Sequence, residues 1–244
     1  MGTFVSISGG GNANVSIHGN GSVAAGNGND TIQITGNGNI TVGAGSDVLA
    51  LGGSGYILQH GHSGSDTINL GSGNDSITEA GTATVHGAFG NATIEGGQFK
   101  FLDTKATNGS SVYQEIAING KATLVGGSHS TNFIAGSGSV VMQGGTGNDT
   151  FTGGSGYATM TGGSGNNVFM IGCHAGAGGT DVITNFVSGH DQLYLANDSY
   201  SWLMSHGDIT VNQGNTYIKL DGGQTTVELK GFTGLTSSDV ISHK

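Results

Sequence analysis

The chain has 244 residues, 50 of them Gly, with no Pro, no Arg and 6 basic against 16 acidic residues, for a net charge of −10. So few cations cannot neutralise a phosphate backbone or an anionic lipid surface, which excludes nucleic-acid binding and binding at a membrane interface. No run approaches 18 apolar residues, so no membrane insertion is expected, and the lone Cys173 excludes a disulfide framework or a cysteine zinc site and reads as a small buried hydrophobe.

In chain order, the opening MGTFVSISGG lacks the basic and apolar regions of a cleaved export signal. Residues 9–25 read as a degenerate first coil of a repeat that then becomes explicit. GNGNDTI starts at Gly26, GAGSDVL at Gly43, GSGNDSI at Gly71 and GTGNDTF at Gly145, with SGSDTI from Ser63 as a shortened copy. Each carries an aspartate (Asp30, Asp47, Asp66, Asp75, Asp149), followed two positions later by a large apolar residue (Ile32, Leu49, Ile68, Ile77, Phe151). Beyond Asp149 the pattern continues in steps of nine, with Ala158 and then Asn167 in the aspartate slot and Phe169 after Asn167. A Gly-rich turn of about six residues and a strand of about three make such a nine-residue unit, since Gly supplies the positive φ a tight turn needs and a short strand sends its central side chain inward. Stacked units bury a continuous apolar ladder that one unit cannot bury alone. The predicted fold is all-β: a parallel β-solenoid, or β-roll, of two strands per coil over residues 1–177. Residues 81–143 read as weaker coils, and 99–118 as an irregular insertion or longer hairpin that breaks the period.

From 178 onward the pattern changes. GGTDVITNFVSGHDQLYL spans Gly178 to Leu195, and the segment from Asp208 alternates like antiparallel strands with a turn at Asp221-Gly222-Gly223. Residues 178–244 are therefore predicted to form a small antiparallel cap.

GGTGNDTF, Gly144 to Phe151, resembles the nonapeptide G-G-x-G-x-D-x-U-x of the RTX (repeats-in-toxin) β-rolls. The stretch from Gly178 resembles the unit that follows those repeats in RTX proteases, roughly G-x-D-x-I-x-D-F-x-x-G-x-D-x-L-x-L. Asp181, Ile183, Phe186, Gly189, Asp191, Leu193 and Leu195 match it, and Asn185 departs from it. Asp239-Val240-Ile241 resembles that family's acidic-then-apolar terminus. The resemblance implies Ca2+ held between successive turns and an uncleaved type I secretion signal in the C-terminal unit.

Calcium takes 6–8 oxygen ligands. Glycine turns expose backbone carbonyls, as at Gly145 and Gly147, and Asp30, Asp47, Asp66, Asp75, Asp149, Asn167, Asp181 and Asp191 add side-chain oxygens. Pairs on one edge require a spacing near 18, which Asp30/Asp47, Asp47/Asp66 and Asp149/Asn167 meet, whereas Asp75 is expected to face Ile57. A few ions are thus expected rather than a full row. The alternative is that these side chains only cap turns.

Catalytic patterns are missing: there is no His-Glu-x-x-His and no Gly-x-Ser-x-Gly. Glu79 and Glu95 lie about one coil apart, and His60 and His62 could share a strand face, but solvated side chains are the plainer reading of both. The expectation is a non-enzymatic, secreted, calcium-binding structural or cell-surface protein of a surface layer, biofilm matrix or fibre, whose partners are calcium, its own copies or an extracellular polysaccharide. Two alternatives stand beside it: the secretion module of a larger enzyme, and a polysaccharide- or ice-binding solenoid.

Overall fold

The computed structural model describes residues 2–61, 63–71, 73–87, 92–102, 112–115, 121–127, 130–172, 178–196 and 198–242, with 79, 80, 87, 92–102, 112–115 and 242 described by backbone alone. His62, Cys173 and most of the 99–118 insertion lie outside the described residues. The chain divides into two compact units, Met1–Thr123 and Leu124–Lys244.

In the first unit two parallel sheets are built strand by strand from alternate segments. Thr3–Ser6, Gly21–Ala24, Gly38–Val42 and Gly55–Gln59 stack in one, and Asn14–Ile17, Thr31–Ile34, Val48–Leu51 and Asp66–Leu70 in the other. The long strand Asp75–Gly87 then serves both sheets, pairing its first residues with Gly55–Gln59 and its last with Asp66–Leu70. Ala92–Leu102 repeats this on top of it, with a register shift between Gly96 and Gln98.

The insertion expected at 99–118 is corrected in part. Phe99 to Leu102 stay in register with Ala83 to His86, and the strand Val112–Glu115 pairs with Ala92–Leu102. The backbone ladder tolerates a longer coil there because only the strand register, not the turn length, must repeat.

The inward face carries the apolar residue that follows each aspartate by two. Ile32, Leu49, Ile68 and Ile77 are buried, joined by Ile34, Ile40, Leu51, Ile57 and Val85. Each such burial contributes about 1.5–3 kcal/mol. Polar side chains alternate outward, as the pattern of Thr31–Ile34 (exposed, buried, exposed, buried) shows.

The second unit repeats the plan in steps of 18 residues, Asn132 to Thr150 to Val168, which lengthen to 24 from Val168 to Gln192. Ser139–Gly145, Tyr157–Gly163 and Gly179–Thr184 stack in one sheet, and Thr131–Ile134, Thr150–Thr152, Val168–Ile171 and Gln192–Leu195 in the other. Here the core column is aromatic. Phe133, Phe151 and Phe169 are fully buried and stack with centroids 5.0 Å apart, an arrangement worth about 0.5–1.5 kcal/mol per pair beyond the area it buries.

The C-terminal region adds the expected antiparallel sheet. Ile209–Asn212, Asn215–Leu220 and Thr225–Lys230 form a meander turned at Asp221–Gly223, and its last strand joins Gly179–Thr184 in parallel. Val240–Ser242 closes the other sheet against Gln192–Leu195. A short helix, Tyr200–His206, was not foreseen. Ser199 caps its N-terminus by accepting from the Trp202 N–H, and Gly207 ends it in the left-handed conformation. Among the described residues no helix is long and apolar enough to cross a membrane.

Candidate functional site

The turns, not the sheets, hold the polar chemistry. In the first unit the turn before each Thr31–Ile34-type strand ends in aspartate, so Asp30, Asp47 and Asp66 fall on one edge in successive coils. They form a buried column. Asp30 Oδ1 accepts from the Ala13 N–H at 2.7 Å, Asp47 Oδ1 from the Asp30 N–H at 2.7 Å, and Asp66 Oδ1 from the Asp47 N–H at 2.8 Å. Each carboxylate thus reaches back to the coil before it. Alanines bound the column at both ends, Ala13 below Asp30 and Ala83 in register with Asp66.

The same device recurs in the second unit. Asp149 Oδ1 accepts from the Thr131 N–H at 2.7 Å, Asn167 Oδ1 from the Asp149 N–H at 2.9 Å, and Asp191 Oδ1 from the Asn167 N–H at 3.0 Å. The side-chain bonds therefore run between coils, so neither a cap within the residue's own turn nor a free pendant carboxylate describes them.

Asp75 and Asp181 lie on the opposite edge. Asp75 is matched with Gly55, whose N–H it accepts at 3.1 Å, and not with Ile57. The coil lengthens from 17 residues between Gly38 and Gly55 to 20 between Gly55 and Asp75, which moves the register. Asp181 stands beside Ala158 and Val227.

These carboxylates are nearly sealed from solvent: Asp30, Asp47, Asp149 and Asp181 are each 1% exposed. One oxygen of Asp30, Asp47, Asp75 and Asp149, and both oxygens of Asp181, are buried without any hydrogen-bond partner. Burial pushes Asp47 up to about 6, helped by the charges of Asp66 and Asp30 and opposed by the Asp30 N–H. Burial likewise raises Asp75 to about 6 against the Gly55 N–H, and Asp149 to about 6 against Thr131. Asp181, with no donor to oppose burial, rises to about 7. A buried carboxylate oxygen without a donor costs about 1–3 kcal/mol or more, and a cation is the partner that removes this cost.

The glycines press against these groups. A Cβ on Gly144 would strike Asp149 Oδ2, and one on Gly153 would strike Asp181 Oδ2. Gly145 (φ 113°) passes so near the Gly127 carbonyl that a side chain would collide with it, and a Cβ on Gly165 would meet the Gly147 carbonyl. The Cβ position of Gly144 meets both the unpartnered Asp149 Oδ2 and the Gly162 carbonyl, so a backbone carbonyl and a carboxylate oxygen lie close together there. Among the described residues no three His, Cys, Asp or Glu side chains gather round one point. A cation would have to draw most of its 6–8 oxygens from the backbone, which suits a hard ion such as calcium. On this test Asp30, Asp47, Asp75, Asp149 and Asp181 fit a cation. Asp191 does not need one, since its Oδ2 accepts from the Val187 N–H at 2.9 Å and its Oδ1 from both nitrogens of Asn167 at 3.0 Å.

A second, exposed ladder escaped the sequence analysis. Asn12 Oδ1 accepts from the Asn29 N–H, Asn29 Oδ1 from the Ser46 N–H, and Ser46 Oγ from the Ser65 N–H. On the other edge Asn20, Asn37 and Ser54 accept in turn from the N–H groups of Asn37, Ser54 and Asn74. This ladder accepts from the coil after it, opposite to the aspartates. Its signal was present as Asn or Ser recurring at the coil spacing beside each aspartate.

Glu79 and Glu95 do not share a slot: Glu79 is opposite Gly96 and Glu95 opposite Thr78, so they occupy successive positions of the ladder. Near the C-terminus, Asp239 is buried, which raises it, but bonds from Ser188, Thr236 and Gly189 hold it below the usual carboxylate range. No family model matches the chain, and no curated protein matches it.

Proposed function

We propose that this protein is a secreted structural or cell-surface β-solenoid that folds around calcium and carries no catalytic activity. One observation supports the reading above all: stacked, sealed carboxylates with partnerless oxygens lie against closely packed glycine turns. With the net charge of −10, such turns are hard to close without cations. Sites of the extracellular grade bind at about 10⁻⁴–10⁻³ M, so they stay empty in the cytosol and fill outside. Binding free energy then becomes folding free energy. The resemblance of Gly144 to Phe151 and Gly178 to Leu195 to RTX proteins agrees with export of an unfolded chain by a type I route. In that setting Asp30, Asp47, Asp75, Asp149 and Asp181 hold the ions, with carbonyls of the adjoining glycine turns, and the ions neutralise charge that folding would otherwise bury bare.

The test is far-UV circular dichroism during a calcium titration from chelator to about 10 mM, a range that spans those affinities. A cooperative gain of β signal is expected. A full β signal in chelator that calcium leaves unchanged would overturn the reading and leave the aspartates as inter-coil caps.

A further inference from the structure

Asn167 stands where the column would otherwise carry a third carboxylate between Asp149 and Asp191. Two glycines 18 residues apart fix the comparison. A Cβ on Gly144 would strike Asp149 Oδ2, while a Cβ on Gly162 would come within 2.6 Å of Asn167 Nδ2. The amide nitrogen of Asn167 therefore occupies the place that the partnerless oxygen of Asp149 occupies one coil earlier. It is not partnerless. Asn167 Nδ2 donates to Asp191 Oδ1 at 3.0 Å, while Asn167 Oδ1 accepts from the Asp149 N–H at 2.9 Å. Asp191 collects a third bond from the Val187 N–H and has no buried oxygen without a partner.

We propose that Asn167 is a built-in substitute for a cation: its amide supplies the donor that an ion supplies elsewhere, so the step from Asn167 to Asp191 closes without metal. The inference rests on the calcium reading for the other steps. The chemistry follows from the inventory of the two side chains. A carboxylate offers acceptors only, so two stacked carboxylates leave acceptor facing acceptor. An amide offers one acceptor downward, to the backbone N–H of the coil before it, and donors upward, to the carboxylate of the coil after it, while Asp149 Oδ2 keeps no partner. Asn185 also uses both ends of its amide, though toward the preceding coil alone: its Oδ1 accepts from the Gly162 N–H at 3.1 Å, and its Nδ2 donates to the Gly163 carbonyl at 3.1 Å. Two amide clamps thus serve neighbouring turns of this unit.

The experiment counts calcium by equilibrium dialysis and follows thermal unfolding in chelator and in calcium for three proteins: wild type, Asn167→Asp and Asn167→Ala. Asn167→Asp is expected to bind one more calcium per chain than wild type, to melt lower in chelator and to recover in calcium. Asn167→Ala is expected to melt lower in both conditions and bind no additional ion. If wild type binds calcium but Asn167→Asp adds no ion and gains no calcium dependence, the inference is overturned while the calcium reading survives. If wild type binds none, the calcium reading itself fails and this inference falls with it.

Discussion

The two polar columns differ by one atom type. In the first unit Asp30, Asp47 and Asp66 stack carboxylate on carboxylate, about one strand spacing, 4.8 Å, apart. In the second, Asp149, Asn167 and Asp191 stack carboxylate, amide, carboxylate. The backbone bonds are the same in both, so the hydrogen-bonded ladder alone does not distinguish them. What differs is charge. Burial raises Asp47, and the charges of Asp66 and Asp30 on either side push it the same way. The amide of Asn167 removes one charge and donates to the next. Under the calcium proposal, one repeat geometry would serve as either a metal-dependent or a metal-free joint, with the choice made at a single side chain.

The largest expected effect tests the charge argument across both units. Asp47, Asp75, Asp149 and Asp181 hold their protons more tightly folded than unfolded. Their contribution to metal-free stability is therefore complete below the unfolded value of about 4 and is lost as pH rises through about 6 to 7. Asp239 acts in the opposite sense, since its folded value is lowered, and its contribution is lost as pH falls below about 4. In chelator, denaturant unfolding is expected to place maximum stability near pH 4–5, with a steep decline by pH 8, and calcium is expected to abolish that decline. Metal-free stability that rises from pH 5 to pH 8 would contradict the picture.

The next effect converts one column into the other. Asp47→Asn would set an amide above Asp30 and below Asp66, copying the arrangement at Asn167. In chelator at pH 8 the variant is expected to be more stable than wild type by about 1–3 kcal/mol, and calcium is expected to stabilise it less. Urea melts with and without calcium measure both. The smallest effect concerns the exposed ladder. Asn37→Ala removes one acceptor for the Ser54 N–H at a solvent-exposed turn. It is expected to cost about 0.5–1.5 kcal/mol, equally in chelator and in calcium, because this ladder carries no charge.

Much of the architecture was legible because burial imposes a period. Ile32, Leu49 and Ile68 follow their aspartates at a fixed offset, and all three lie in the core. The edge shared by Asp30, Asp47 and Asp66 followed from spacings of 17 and 19. Asp75 was assigned the wrong neighbour because turns absorb extra residues without disturbing strand register, so spacing alone misplaces a side chain where a coil lengthens. The helix Tyr200–His206 was missed because seven residues give too little periodicity, although Ser199 and Gly207 stood at its caps. The role of Asn167 was half legible: its place in the column showed in the repeat, but whether its nitrogen or its oxygen faced Asp191 required coordinates. The Asn and Ser ladder was overlooked because those residues are also what any turn prefers.

The opposed bonding of the two ladders gives the repeat a polarity. The turns at Asn29–Asp30, Ser46–Asp47 and Asn148–Asp149 each point a carboxylate acceptor toward the chain's beginning and an Asn or Ser acceptor toward its end. A coil laid upside down on its neighbour would bring acceptor to acceptor and donor to donor at each turn. Head-to-tail is thus the sole orientation in which further coils of this kind can join the ladder, and growth by such coils is vectorial.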